Sequence, residues 1–444
     1  MRRLGAFLFG TGMAALASLA VEVFRGPSQT LIGSVHAISA ISLVVAAIGL
    51  TLRRGPVPLA VFLLGTAAPL ANTRLIGSSD TVPTALVPFA VVRTGSLFLP
   101  PGESVVPAAG GRFASKYPVT TGLLALPFAL PAAAGRAAIE RIANVIEKLC
   151  ASALTGLMLA LLFVAQRALC APRLSLIASA LTLFGSAALP ILGQALWQHT
   201  GAALALAAGL AARGIGTGPR RSFLVGACAG VALSCRPADA PLALGLLWLD
   251  RRLTTAAGAA VPVLLTLLYQ RLMFGGFLRT GYGLEATGGW RPVWPDGLVG
   301  MAGLWLSPGR GLAVIYPLTL FGLWGLWRMR ELRPLAFAVV GETALLGCWW
   351  AWEGAWSMGP RMLSAATPFL GLGLAVALDG HAKWSASARS LLASAAAISC
   401  ATAMTLAYVV PNARTHALVR ELRYGSWTVR AYPLLAYLLP RQPS

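Results

Sequence analysis

Long apolar segments alternate with short polar connections along nearly the whole chain. Apolar runs of about 17–25 residues match the hydrocarbon thickness of a bilayer, and window length gives about 13 such spans. They lie near 4–24, 33–52, 56–72, 149–169, 174–193, 200–213, 222–235, 238–250, 253–270, 298–306 with a broken continuation to 327, 334–351, 362–379 and 390–410. Only a helix or a closed barrel satisfies its backbone hydrogen bonds in lipid. The pattern therefore predicts an all-α polytopic membrane protein with about 11–13 transmembrane helices.

Three regions depart from this pattern. The stretch 73–148 is the longest without a span, and its apolar pieces Thr84–Val92 and Thr120–Ala134 are interrupted by proline. Such pieces are typical of helices in the membrane interface. The tail 411–444 contains a similar piece at Tyr424–Leu439. The pieces at 222–235 and 238–250 are so short that they form either two spans or a hairpin that does not cross. No repeat of fixed period is present, so we treat 1–444 as a single domain.

Composition supports the membrane assignment and narrows the partners. The chain is 57% hydrophobic with a mean hydropathy of +0.73, and 11% of it is charged, against about a quarter in soluble domains. The net charge is +21, but the basic residues are dispersed through the loops, which argues against a nucleic-acid partner. Membrane lipids and phosphate-bearing substrates fit better. None of the six cysteines forms a CxxC pair, and the Ala, Arg and Gly content suggests a GC-rich bacterium.

Paired arginines in short connections predict the orientation. Cytoplasmic loops are enriched in Lys and Arg, which places the following groups in the cytoplasm: Arg2-Arg3, Arg53-Arg54, Arg220-Arg221, Arg251-Arg252 and Arg328/Arg330/Arg333. The opposite face then carries 73–148, the turn at Trp197, 271–297, the loop at Trp352 and the tail. Further arginines lie on that face in Gly- and Pro-rich loops, namely Arg236, Arg279, Arg310 and Arg361. Because a guanidinium matches phosphate geometry, they indicate an anionic ligand.

One carboxylate on the outer face is the first candidate for chemistry. The chain has 14 acidic residues against 35 basic ones, and Asp80 lies just beyond a span in Ser78–Pro83. The alternative is that Asp80 caps the helix that follows it. Other short motifs fall on the same predicted side: Lys116-Tyr117-Pro118, Leu196–His199, Cys235-Arg236-Pro237 with Asp239, Arg279–Gly283, Ser307–Gly311 and Trp352–Arg361.

The order and spacing of these motifs resemble the glycosyltransferase C superfamily, whose members are multi-span enzymes that use polyprenyl-phosphate-linked sugars. In that pattern an Asp lies in the first large outer loop. A short K-x-P or Y-P-P motif and an amphipathic helix follow it. Here these are Asp80, Lys116-Tyr117-Pro118 and Val119–Pro131. The resemblance covers about residues 75–375. Ser79 stands where many members carry a second acid, and two extra spans precede Asp80.

The resemblance implies an inverting glycosyltransferase of the cell inner (plasma) membrane, with its active site on the extracytoplasmic side. Its partners would be a polyprenyl-phosphate-linked sugar and a glycan, lipid or protein acceptor. Asp80 would be the general base, with Glu353 as the alternative carboxylate. Lys116, Arg310, Arg361 and Arg236 would bind the donor phosphate. The substrate-binding residues would be Tyr117, Trp197, His199, Trp352 and Trp356. A divalent metal ion would need carboxylates that converge, such as Asp80 with Glu353 or Asp239, and the spacing leaves this open.

Each of these residues also has a structural alternative. Lys116 fits an interfacial lysine whose ammonium reaches water, and Trp197 and Trp352 fit an aromatic belt. His199 fits a satisfied core histidine, while Asp239 and Glu342 fit partners of nearby arginines. At the level of the whole protein, the runner-up is a transporter or lipid flippase, although no related halves are seen. A non-catalytic scaffold for envelope assembly is the third possibility.

Overall fold

The structure, a computed structural model, is almost entirely helical. It describes residues 1–25, 28–284, 289–354 and 359–409, together with Trp427 and Tyr432. The first nine helices are α1 (Arg2–Arg25), α2 (Gln29–Leu52), α3 (Val57–Leu70), α4 (Val82–Thr94), α5 (Thr120–Ala133), α6 (Ile139–Arg167), α7 (Pro172–Phe184), α8 (Gln198–Ile215) and α9 (Pro219–Cys235). The remaining helices are α10 (Ala240–Trp248), α11 (Leu253–Phe274), α12 (Leu298–Leu306), α13 (Leu312–Ile315), α14 (Leu318–Arg328), α15 (Arg333–Gly347), α16 (Thr367–Asp379) and α17 (Ala386–Met404).

Proline marks where many of these helices begin. Pro83, Pro172, Pro219, Pro334 and Pro368 stand in the first turns of their helices. Proline suits this position because its fixed φ is helical and its missing N–H would have had no partner inside the helix. These prolines therefore start helices at the ends of apolar runs without breaking them.

The predicted all-α polytopic class is confirmed. Every span predicted from the sequence coincides with a helix, including the broken one, where α12, α13 and α14 follow each other with an interruption at 307–311. Among the described residues, five helices are long and apolar enough to cross a membrane by themselves, and further apolar helices are shorter. The short pieces around 222–250 are two separate helices, of which α9 packs on α8 and α11 and α10 packs on α15.

Two details differ from the sequence prediction. Helix α6 begins at Ile139, ten residues before the predicted span at 149, because its first turns carry charged residues that lower the local hydropathy. The stretch 73–148 also contains a small antiparallel sheet that the pattern did not predict. Its strands are β1 (Phe98–Leu99), β2 (Val105–Pro107) and β3 (Phe113–Ser115), in the order β1-β3-β2.

The outer stretch 73–148 packs closely onto the bundle. Helices α4 and α5 contact each other and both contact α6, so the apolar pieces predicted there are helices with largely buried faces. Sheet and helices together hold the loop before α4 and the loop after β3 in fixed positions. These two loops carry Asp80 and Tyr117.

A buried polar network in the bundle fixes the neighbouring loops. The Lys148 ammonium of α6 donates to Asn72 Oδ1 at 2.9 Å and to Gln194 Oε1. Asn72 in turn donates to the carbonyl of Ala407 at 2.6 Å, and the backbone N–H of Leu196 donates to Glu147 at 3.1 Å. Polar groups buried in a membrane protein need such partners. The network ties the segment after α3, the turn before α8 and the end of the α17 segment to α6.

Candidate active site

Asp80 lies in a tight turn between α3 and α4. The backbone N–H of Thr81 donates to the Ser78 carbonyl at 2.9 Å, and the N–H of Asp80 lies 3.3 Å from Ser78 Oγ. The N-cap of α4 is Thr81, which makes no side-chain capping bond. The helix-capping alternative for Asp80 is therefore wrong, because its carboxylate is bonded elsewhere.

The Asp80 carboxylate joins residues that are far apart in the sequence. The Tyr117 hydroxyl donates to Oδ1 at 2.6 Å, and Arg361 Nη1 donates to Oδ2 at 2.9 Å across 281 residues. Burial favours a higher pKa for Asp80, but the charge of Arg361 and the hydrogen bonds from Tyr117 and Arg361 outweigh it. The pKa of Asp80 is therefore lowered, and the group is an ionised carboxylate.

The Lys116-Tyr117 step is fixed by the sheet. The Lys116 N–H donates to the Ser104 carbonyl at 3.0 Å, and the Tyr117 N–H donates to Ser115 Oγ at 3.1 Å. The Lys116 ammonium lies 5.8 Å from the centre of the Tyr117 ring. Burial and the negative charge of Asp80 raise the pKa of Tyr117, so its hydroxyl stays protonated and donates to the carboxylate.

Arg361 is held on two sides. Its guanidinium carbon lies 4.4 Å from the centre of the Trp197 ring, within the range of a cation–π contact, while Nη1 bonds Asp80. Gly359 has a φ of 83°, a left-handed conformation that favours glycine, and it turns the chain just before Pro360 and Arg361. Among the described residues, Arg361 Nε is buried without a hydrogen-bond partner.

The loop in the broken helix meets the Arg361 loop. The Gly359 N–H donates to the Gly309 carbonyl at 3.2 Å, which places Arg310 beside this segment. Arg310 lies close enough to Arg361 and Glu353 to interact electrostatically with both: Arg361 repels it and Glu353 attracts it. These contacts confirm that the loops of Asp80, Lys116, Trp197, Arg310 and Arg361 share one face of the bundle.

Two predicted site residues lie behind this group. Arg236 is buried and bonds Asp239 and Glu342, so the structural alternatives for both acids are confirmed. His199, at the start of α8, has neither ring nitrogen hydrogen-bonded to a described residue, and the charges of Arg236 and Arg361 act on it. The structure thus brings Asp80, Lys116, Tyr117, Trp197 and Arg361 together and leaves Arg236 one layer deeper.

Trp352, one of the aromatic residues predicted in the 352–361 loop, does not join the Asp80 group. Trp352 is buried against α12, where a Cβ on Gly303 would stand 2.2 Å from the Trp352 ring. Its ring centre is 6.4 Å from that of Trp427. Trp352 therefore packs in the core of the bundle. Trp356 lies outside the described residues.

The structure adds aromatic residues to which the sequence analysis assigned no role, although one of them, Tyr282, stands in the Arg279–Gly283 motif. The centre of the Tyr282 ring lies 5.6 Å from that of Tyr117 and 6.0 Å from that of Trp349. The ring centres of Trp290 and Trp349 are 5.1 Å apart. The sequence feature that marks this contact is Gly281. A Cβ at that position would stand 2.8 Å from the Lys116 backbone, so glycine permits the Arg279–Gly283 motif to pack this closely.

Two of the carboxylates considered for a divalent metal are bonded to other side chains. Asp239 bonds Arg236, and both oxygens of Asp80 accept hydrogen bonds from Tyr117 and Arg361. In the part of the chain that the structure describes, no group of three His, Cys, Asp or Glu side chains is placed to hold a metal ion.

Comparison with known proteins gives similarity to solved structures only. Two crystal structures of ArnT from Cupriavidus metallidurans, one bound to undecaprenyl phosphate and one in the apo state, align with 86% of this chain and 74% of the ArnT chain. The TM-scores are 0.47 and 0.46, and the sequence identity is 15% in both. No family model and no curated protein sequence matches the chain. Similarity at this level assigns no residue role and no ligand.

Proposed function

We propose that this chain is an inverting glycosyltransferase of the cell inner membrane, which moves a sugar from a polyprenyl-phosphate donor to an acceptor on the extracytoplasmic face. One observation carries the proposal. Asp80, Tyr117 and Arg361 meet within hydrogen-bonding distance although they come from three separate loops. Lys116 and Trp197 complete the same cluster. A carboxylate beside concentrated positive charge is what transfer from a phosphate leaving group requires.

The reaction assigns a role to each member of the cluster. Asp80 accepts the proton of the acceptor hydroxyl as that oxygen attacks the anomeric carbon, and the bond from that carbon to the phosphate oxygen breaks. A single displacement without a covalent intermediate inverts the anomeric centre. Arg361 and Lys116 stabilise the charge that develops on the departing lipid phosphate, with Arg310 beside them. Tyr117, Trp197 and His199 surround the sugar.

The pairing of Asp80 with Arg361 suggests an order of binding. Arg361 Nη1 donates to Oδ2 of the base, and the charge of Arg361 lowers the pKa of Asp80. A donor phosphate competes for the same guanidinium. Once Arg361 turns to the phosphate, Oδ2 becomes available to an acceptor hydroxyl, so the acceptor is deprotonated only after the donor has bound.

A transporter or lipid flippase is the second candidate, and the interruption between α12 and α13 favours it. Interrupted helices inside a membrane protein line cavities and often hold substrates. This candidate predicts donor binding without sugar transfer, and it assigns Asp80 no chemical step.

The deciding experiment compares wild type with Asp80→Asn, purified in nanodiscs and supplied with a panel of radiolabelled polyprenyl-phosphate sugars. We expect transfer or donor hydrolysis by wild type and a loss of about 10²–10⁴-fold in Asp80→Asn, the usual contribution of a general base. Donor binding should persist in the variant. Asp296→Asn, which removes an exposed carboxylate elsewhere, is the matched control, and Glu353→Gln tests the alternative base. Full activity of a folded Asp80→Asn would refute the assignment of Asp80, and donor binding without turnover by wild type would favour the transporter.

A further inference from the structure

A buried charged triad lies beneath the site, where α9 ends and α10 begins. Arg236 Nη1 donates to Asp239 Oδ1 and, at 3.3 Å, to Glu342 Oε1 of α15. Both carboxyl groups have no exposed surface, and the Arg236 side chain is 9% exposed. The triad therefore joins the break in the chain at Arg236-Pro237 to a helix more than a hundred residues away.

The charges of the triad do not balance if all three groups are ionised. Arg236 contributes one positive charge and the two carboxylates two negative ones, which leaves one negative charge buried in the bundle. In the described part of the chain, the salt bridges of Asp239 and Glu342 are those with Arg236. An uncompensated charge buried in this way costs several kcal/mol.

Two oxygen atoms show where compensation belongs. Asp239 Oδ2 and Glu342 Oε2 are buried and have no hydrogen-bond partner among the described residues. The two carboxyl groups nevertheless lie close together, because both accept from the same nitrogen, Arg236 Nη1. A single proton on one of them would supply a donor, join the two groups and cancel the excess charge. Asp239 has the closer contact with Arg236, so Glu342 is the group that takes the proton.

The other titratable neighbours do not supply this charge. His199 of α8 lies near the positive charges of Arg236 and Arg361, and these two charges disfavour a positive charge on the His199 ring. Cys235 is buried and interacts electrostatically with Asp239, and the Tyr282 hydroxyl interacts electrostatically with Arg236. A thiol or a phenol adds no positive charge in either protonation state.

We propose that Glu342 is a neutral acid that shares its proton with Asp239, and that the resulting neutral triad makes Arg236 a positioning residue for Arg361. The link to the site is the backbone. Arg236 Nη1 also donates to the carbonyl of Met362 at 3.3 Å, and Nη2 lies 3.9 Å from Met362 Sδ. Arg236 thus holds the residue that follows Arg361, while Trp197 and Asp80 hold the Arg361 side chain.

The proton is tested by infrared difference spectroscopy of the full-length protein in nanodiscs at neutral pH. Wild type should show the carbonyl stretching band of a buried protonated carboxylic acid, and Glu342→Gln should lose it while keeping the melting temperature of wild type. Asp239→Asn should lose the band as well, because Glu342 then ionises to pair with Arg236. Asp250→Asn is the matched control: Asp250 is buried but bonded to Arg221 at 2.8 Å and 3.4 Å from Arg252, so its loss should leave the acid band unchanged.

Non-additivity gives a second readout of the charge balance. Each single variant retains one carboxylate for Arg236, whereas Asp239→Asn with Glu342→Gln leaves the guanidinium buried without one. The double variant should therefore lower the melting temperature well beyond the sum of the two single changes. A wild-type spectrum without the acid band would show that both carboxylates are ionised and would overturn the shared proton. A wild-type melting temperature that rises when sodium is added would also overturn it, in favour of a bound cation.

The positioning role rests on the proposed function and has its own readout. Arg236→Lys keeps the charge but cannot bond two carboxylates and the Met362 carbonyl with one planar fork. We expect the KM for the polyprenyl-phosphate sugar to rise about tenfold, equivalent to the loss of one ordinary hydrogen bond, with kcat changed less. Glu342→Gln, which leaves the Arg236–Met362 contact in place, should keep the wild-type KM. An unchanged donor KM in a folded Arg236→Lys would refute the positioning role, whereas a wild type that turns over no donor would instead refute the proposed function and leave the spectroscopic result standing.

Discussion

The ion pair between Asp80 and Arg361 determines how basic the candidate base is. Arg361 and Tyr117 together keep the pKa of Asp80 low in spite of its partial burial. A base with a low pKa stays ionised into the acidic range but has a weak affinity for the proton it must remove. The arrangement therefore keeps Asp80 charged and holds its carboxylate in place.

Replacing Arg361 by glutamine should change both the rate and its pH dependence. Without the guanidinium the pKa of Asp80 rises, because burial remains and the opposing charge is gone. The ionised form is the active one, so the acidic limb of kcat/KM should move to higher pH. At the optimum we expect kcat/KM to fall about ten- to a hundredfold, equivalent to about 1.5–3 kcal/mol for a hydrogen bond to a charged group. A pH-rate profile for sugar transfer measures both effects.

Arg279→Gln is the control for this variant. It removes the same charge from an exposed position in the loop after α11, so the acidic limb should stay where it is in wild type. If the limb were equally unmoved in Arg361→Gln, the ion pair would not govern the titration, and the limb would belong to another group.

At this scale the sequence indicated several candidate site residues but not their partners. Asp80 stood out because acidic residues are scarce in the chain, and Lys116, Tyr117, Trp197 and Arg361 stood out because their motifs follow it in the order of the family pattern. Their pairing depends on helices that bring distant loops together, which no local pattern records. Arg236 is the clearest example, because Glu342, which accepts a hydrogen bond from its guanidinium, is 106 residues away in the sequence.

The packing of α4 against α5 sets the distance between the Asp80 and Tyr117 loops. At Gly122 the two helices approach so closely that a Cβ would stand 2.7 Å from the Thr84 carbonyl oxygen and 2.7 Å from Val87 Cβ. A side chain there must push the helices apart. Because Tyr117 lies just before α5 and Asp80 just before α4, a shift between these helices changes the Tyr117–Asp80 contact.

Gly122→Ala should therefore lower stability and turnover together. Overpacking of a tight contact costs about 1–3 kcal/mol, and the displaced hydroxyl no longer fixes the base. Thermal unfolding in nanodiscs and the sugar-transfer rate measure the two effects. Gly33→Ala in α2 is the control, since a Cβ there meets nothing within 4 Å, and it should be tolerated. A Gly122→Ala protein as stable and as active as Gly33→Ala would show that the two helices can separate without disturbing the site.

Elements were predictable where one physical signal dominated. Long apolar runs gave the helices, and the Gly-Pro break at 307–311 gave the interruption between α12 and α13. The start of α6 was missed because Glu147 and Lys148 look like loop residues until their buried partners Leu196, Asn72 and Gln194 are known. Strands of two or three residues, such as β1 to β3, are too short to show an alternating pattern.

For the whole molecule, the order of the helices agrees with the distribution of arginines. If the connections at Arg53-Arg54, Arg220-Arg221 and Arg251-Arg252 are cytoplasmic, then crossing by α3, α9 and α11 places the loop of Asp80, the break at Arg236 and the loop of Tyr282 on the other side. The contacts among the Asp80, Trp197 and Arg361 loops require these loops to share a face. The charge pattern adds a predicted direction, with that face outside the cell.

Labelling of single introduced cysteines in intact cells tests this orientation. Glu103 is exposed between β1 and β2, on the same side as Asp80, and Thr217 is exposed between α8 and α9, beside Arg220-Arg221. A membrane-impermeant maleimide should label Glu103→Cys in whole cells and Thr217→Cys only after permeabilisation. The six native cysteines are buried or partly buried, so wild type gives the background. The opposite result would place Asp80 on the cytoplasmic face, where the donor would have to present its sugar before any flip across the membrane, and an extracytoplasmic transfer would then be ruled out whatever the activity of Asp80.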